Sequence, residues 1–66
     1  MMPIEIYDKE EFRKIAERAI ECRVKRLKDV VKIKARTKRY LYTIKVKPEE
    51  ADEFIKTLKC RRIVEV

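Results

Sequence analysis

The sequence has no glycine, histidine, serine, asparagine, glutamine or tryptophan among its 66 residues. Without glycine it cannot build a phosphate-cradling P-loop or a dinucleotide fingerprint. Without histidine and serine most nucleophilic and general-base constellations cannot be assembled. Cys22 and Cys60 are the two cysteines, far apart and outside any CxxC spacing. A zinc site needs about four ligands, so none is expected. They read as small, buried, reduced thiols, a disulfide being the exception that hyperthermophile proteins allow. As a nucleophile Cys22 would need a neighbouring base, and the sequence offers none. No apolar run is long enough to span a membrane. The start, Met1 to Ile6, has neither the basic nor the apolar segment of a signal peptide, which predicts a cytoplasmic protein beginning at Met1 or Met2. No catalytic residue, cofactor, metal or small-molecule substrate is expected.

What the chain has instead is charge: 47% of its residues are charged and the formal net charge is +7. Such a balance speaks of partners, and the natural partner is a polyanion, nucleic acid above all. Abundant Lys, Arg and Glu with no Asn or Gln resembles hyperthermophile usage. The length predicts one domain over residues 1–66. A domain this small buries only about 60% of the surface its unfolded chain exposes, so a bound partner is expected to support its thin core.

Asp8 with Glu11 three residues later forms a variant of the capping box, and Tyr7 with Phe12 has the spacing of a hydrophobic staple. Phe12, Ile15, Ala16 and Ala19 then recur at helical spacing, predicting a helix from about Lys9 to Arg18 or Ala19. The period next changes to two. Ile20, Cys22 and Val24 form one strand; Lys28-Asp29 turns the chain; Val31, Ile33 and Ala35 form the second. After a turn or bulge at Thr37-Lys38, Tyr40, Tyr42, Ile44 and Val46 form the third. Pro48 stops that strand and opens a second helix, with acids in its first turns and Ala51, Phe54, Ile55 and Leu58 as its apolar stripe. The β-rich stretch Arg61 to Val66 is predicted to add a last strand at the sheet edge. The expected fold is therefore α+β: a two-layer sandwich of order α-β-β-β-α-β, its antiparallel sheet covered on one face by two helices.

The charge is concentrated in the strands. From Arg23 to Lys47 the single acid is Asp29. Alternation sends Lys32, Lys34 and Arg36 away from the helices, joined by Arg23 and Lys25 from one side and Lys45 and Lys47 from the other. Like charges on neighbouring strands repel, and a row of phosphates would reverse the sign of that interaction. The plain alternatives are a solvated face or a lysine-rich edge that blocks aggregation. Tyr40 and Tyr42 share parity with Ile44 and Val46, which favours core packing with hydroxyls at the rim over base stacking. Leu41 has the opposite parity and is a candidate exposed contact.

The segment Val31 to Thr43 resembles the archaeal and eukaryotic large-subunit ribosomal protein family L38e. The family's basic strand V-K-x-K-x-R appears as Val31 to Arg36, and its R-Y-L-Y-T core as Arg39 to Thr43. The likeness extends to the first helix with Phe12, the Lys28-Asp29 turn and the second helix. Thr37 and Lys38 depart from the family pattern, as does Lys59-Cys60-Arg61-Arg62, where a proline-containing turn is usual. The resemblance implies a structural protein of the large subunit, meeting large-subunit ribosomal RNA and neighbouring ribosomal proteins. It places Lys32, Lys34, Arg36, Arg39 and Tyr42 in the family's basic and aromatic set. With the turn residues Lys28 and Lys38, the candidate RNA-binding residues are then Arg23, Lys25, Lys28, Lys32, Lys34, Arg36, Lys38, Arg39, Tyr42, Lys45 and Lys47. The competing reading is a small chromatin-type protein that binds duplex DNA with the same face; both would weaken with salt.

Overall fold

The computed structural model describes residues 2–66, so the question of a start at Met1 lies outside the described residues. The chain runs β1 (Met2–Glu5), α1 (Lys9–Glu17), β2 (Glu21–Arg26), β3 (Val31–Arg36), β4 (Tyr40–Val46), α2 (Pro48–Thr57) and β5 (Ile63–Glu65). One five-stranded sheet has the spatial order β1-β4-β3-β2-β5. The β2-β3-β4 meander is antiparallel as expected, with Val24 opposite Ile33 and Ile33 opposite Ile44. The expected order and the purely antiparallel sheet are corrected. A strand precedes α1, and both edge strands pair in parallel, β1 with β4 and β5 with β2. Pro3 in a four-residue segment hides β1 from a period-two reading, yet proline suits an edge strand. Parallel pairing is also invisible to a rule that joins sequence neighbours by short turns.

These two edges explain why one face stays open. The β1-α1-β2 and β4-α2-β5 connections each join parallel strands, and each crosses the sheet in the same direction. Right-handed crossovers must then lay both helices on the same face. The core agrees. Phe12, Ile15 and Ala16 of α1 and Ala51 and Phe54 of α2 share one buried cluster with Cys22, Val24, Val31, Ile33, Ala35, Ile44 and Val46. The Phe12 and Phe54 rings meet at 6.0 Å between centroids. Arg13 crosses the same seam, its guanidinium 5.3 Å from the Phe54 ring centre and its Nε donating to Thr57 Oγ1 at 2.9 Å.

Asp8 caps α1 by accepting from the Glu10 backbone N–H at 3.0 Å. The expected staple is not made: Phe12 is buried but Tyr7 is 84% exposed, and its neighbour Ile6, whose N–H donates to the Thr43 carbonyl, joins the core instead. Ile20, expected in the first strand, lies before β2 and is also exposed. The two cysteines are joined, Cys22 to Cys60, with Cα atoms 6.0 Å apart. This corrects the reading of two reduced thiols. The parallel docking of β5 against β2 brings the segment after α2 over Cys22, a proximity that sequence spacing cannot show. No helix among the described residues is long and apolar enough to cross a membrane.

Candidate nucleic-acid interface

The face away from the helices is built by the strand register. Across the sheet, Lys45 pairs with Lys32 and Lys32 with Lys25. One step along, Thr43 pairs with Lys34 and Lys34 with Arg23; at the next, Leu41 pairs with Arg36 and Arg36 with Glu21. Residues directly opposite place their Cβ atoms about 4.5–5.5 Å apart, where like charges repel. Six of the candidate residues, Arg23, Lys25, Lys32, Lys34, Arg36 and Lys45, thus converge on one surface. A shallow groove of about 470 Å³ runs over it between Arg23, Lys25, Lys32, Lys34, Arg36 and Leu41.

Two carboxylates temper this surface at its margins. Arg23 Nε donates to Glu21 Oε2 at 2.6 Å, and Lys45 stands 3.8 Å from Glu5. The hydrogen bond from Arg23 holds the Glu21 carboxyl below its ordinary value, against the opposing effect of desolvation, and the charges of Arg62 and Arg36 add to the lowering. Lys25, Lys32, Lys34 and Arg36 have no carboxylate within ion-pair distance among the described residues. Arg26, from the same strand, is withdrawn. It binds Glu65 of β5 and Asp52 of α2, and those hydrogen bonds raise its already high pKa.

The other candidates lie elsewhere. Lys28 is exposed in the β2–β3 turn, which Leu27 N–H closes by donating to the Val30 carbonyl at 2.9 Å. Lys47 is exposed at the N-cap of α2. Lys38, Arg39 and Tyr42 line a cleft of about 580 Å³ between the C-terminal end of α1 and the β3–β4 turn. Thr37 fixes that turn: its hydroxyl donates to the Tyr40 carbonyl at 2.9 Å and accepts from the Tyr40 N–H at 3.2 Å. Tyr42 is half-buried against the core, whereas Tyr40 is exposed and tilted against it, 5.9 Å between ring centres. Parity therefore described Tyr42 correctly and Tyr40 only in direction, since the core ends before Tyr40 is covered. Arg18, Ile20 and Arg61 complete the cleft. They were absent from the candidate set, and their sequence positions carry no signal of it, because only the folded sheet brings them to one place.

This is a small βαβββαβ protein whose helices cover one sheet face and leave a cationic face open. It belongs to the ribosomal L38e protein family, whose model matches residues 2–63. It is 60% identical over 67 residues to the large ribosomal subunit protein eL38 of Aeropyrum pernix, an alignment that spans 98% of this chain and 100% of that protein.

Proposed function

We propose that the protein is a structural constituent of the large ribosomal subunit and works in the cytoplasm on the ribosome. Family membership carries this reading, and the near full-length likeness to an archaeal eL38 supports it. It acts as one domain, with large-subunit ribosomal RNA and neighbouring ribosomal proteins as partners, and not as an enzyme. The open sheet face is the principal RNA contact. Lys25, Lys32, Lys34 and Arg36 bind phosphates directly, Arg23 and Lys45 extend the surface, and Lys28 and Lys47 reach out from its ends. Cross-strand repulsion among these side chains disfavours the free protein and is relieved when phosphates lie between them. Nothing favours the chromatin reading, because Leu41 is half-buried beside Arg36 and does not project as the apolar wedge that architectural DNA binders use.

Sedimentation of a cell lysate tests the assignment. The protein should travel with the large subunit through a moderate-salt wash; recovery with nuclease-sensitive DNA instead would overturn it. The surface is tested by replacing Lys32, Lys34 and Arg36 together with alanine. RNA affinity should fall, and the slope of log affinity against log salt should flatten by about one per lost phosphate contact. An unchanged titration would remove the sheet face from the RNA interface.

A further inference from the structure

The cleft beside the β3–β4 turn differs from the sheet face in chemistry as well as place. Its walls are the exposed ring of Tyr40, the half-buried ring of Tyr42 and the side chain of Ile20, which is 49% exposed. Its rim carries Arg18, Lys38, Arg39 and Arg61. None of these four cations has a carboxylate within ion-pair distance among the described residues, although Glu17 also lines the cleft. A volume of about 580 Å³ falls within the roughly 300–1,000 Å³ of small-ligand clefts. The open sheet face has no aromatic ring in its three cross-strand rows, so it suits a continuous phosphate backbone. Apolar and aromatic walls inside a cationic rim suit a base together with its own phosphate.

We propose that this cleft receives one unpaired nucleotide of RNA. The base lies against Tyr40, with Ile20 and Tyr42 behind it, and the phosphate is held among the rim arginines and Lys38. A base in a duplex hides both faces in its stack, so the site selects single-stranded RNA, whose unstacked bases can settle on an aromatic ring. Arg36 and Leu41, which share the end of β3 and the start of β4, connect the cleft to the sheet face. One strand passing from the open face around the end of the sheet meets both surfaces. The inference rests on the RNA-binding reading given above and adds to it a site that distinguishes single strands from duplex.

Fluorescence anisotropy with two labelled probes, a short oligouridylate and a short RNA duplex, separates the two surfaces. Tyr40→Leu keeps apolar bulk and removes the ring. It should weaken oligouridylate binding by about five- to a hundredfold, the range of one lost base stack, and leave duplex binding unchanged. Arg18→Gln combined with Arg61→Gln alters exposed side chains away from the core and should show the same selectivity, which keeps the test decisive if Tyr40→Leu fails to fold. The Lys32, Lys34 and Arg36 alanine variant should lose affinity for both probes. Equal affinity of the cleft variants and the wild type for oligouridylate, or equal losses on both probes, would overturn the cleft and leave the sheet face standing. Failure of the wild-type protein to bind either probe would overturn the RNA reading and the cleft with it.

Discussion

At the scale of single residues, the sheet face carries its own restraint. Glu21 occupies Arg23 and lies opposite Arg36 in the strand register, so a phosphate reaching Arg23 would have to displace that carboxylate. Glu21→Gln should therefore strengthen RNA binding and steepen its salt dependence, by up to about one unit of slope. A weaker, flatter titration would show that Glu21 organises the face and does not compete with RNA. The carboxyl's lowered pKa also sets the sign of its effect on stability. The favourable pairing is fully present above the unfolded-state value and is lost as pH falls through the lower folded-state value. Glu21→Gln should accordingly lower stability slightly at neutral pH and flatten the acid limb of a denaturation series, the variant and wild type converging as pH falls. The two tyrosines should part company. Tyr42→Ala, which removes a ring packed against the core, should cost about 1–3 kcal/mol in denaturant unfolding, more than it weakens binding. Tyr40→Leu should melt like the wild type. This difference was only half legible in the sequence. Alternation gives the direction of a side chain, but how far the core extends along β4 depends on where α1 ends, and no pattern within Tyr40 to Val46 records that.

At the scale of elements, the meander and both helices could be read from periodicity because each carries a complete apolar stripe and a recognisable stop. Pro48 with the following acids marked α2, and Asp8 marked α1, whose cap is made as a side-chain acceptor for Glu10. The edge strands could not be read so well. β1 has four residues and a proline, and β5 has three residues of which Ile63 is exposed; neither alternates long enough to reveal its partner or its direction. The cysteine pair was hidden for the same reason. Cys22 and Cys60 stand 38 positions apart in the sequence, and their meeting depends on that parallel edge. A cross-link closing a loop of this length limits the unfolded chain by about 4 kcal/mol in the chain-entropy model, with about 2–4 kcal/mol typically measured. Adding a reductant, or replacing Cys60 with alanine, should lower the melting temperature by roughly 10–25 °C. Identical melting curves with and without reductant would show that the pair contributes nothing in solution.

At the scale of the whole molecule, the strands carry the excess of positive charge and the helices offset it. That separation was visible in the sequence, because Arg23 to Lys47 holds Asp29 as its single acid. Which cations act together was not. The fold collects Arg23, Lys25, Lys32, Lys34, Arg36 and Lys45 on one side, sends Lys38 and Arg39 to the cleft, and spends Arg26 on joining β5 to α2. The helices are tied to each other as well, through Phe12 against Phe54 and through Lys9 to Glu50 at 3.2 Å. The result is a firm backing behind a surface whose own charges repel.

The two parallel edges have a consequence for timing. The β2-β3-β4 meander closes through short turns, so its pairing requires little chain to be gathered. β1 must find β4 across α1, β2 and β3, and β5 must find β2 across β3, β4 and α2. Such distant pairings are slow to form, and at the sheet borders they rest on short ladders of four and three residue pairs, which open more readily than the central strands. Amide hydrogens of Ile33 and Ile44 should then exchange with solvent far more slowly than those of β5. The molecule would breathe from its borders inward while the lysine rows at its centre keep their spacing.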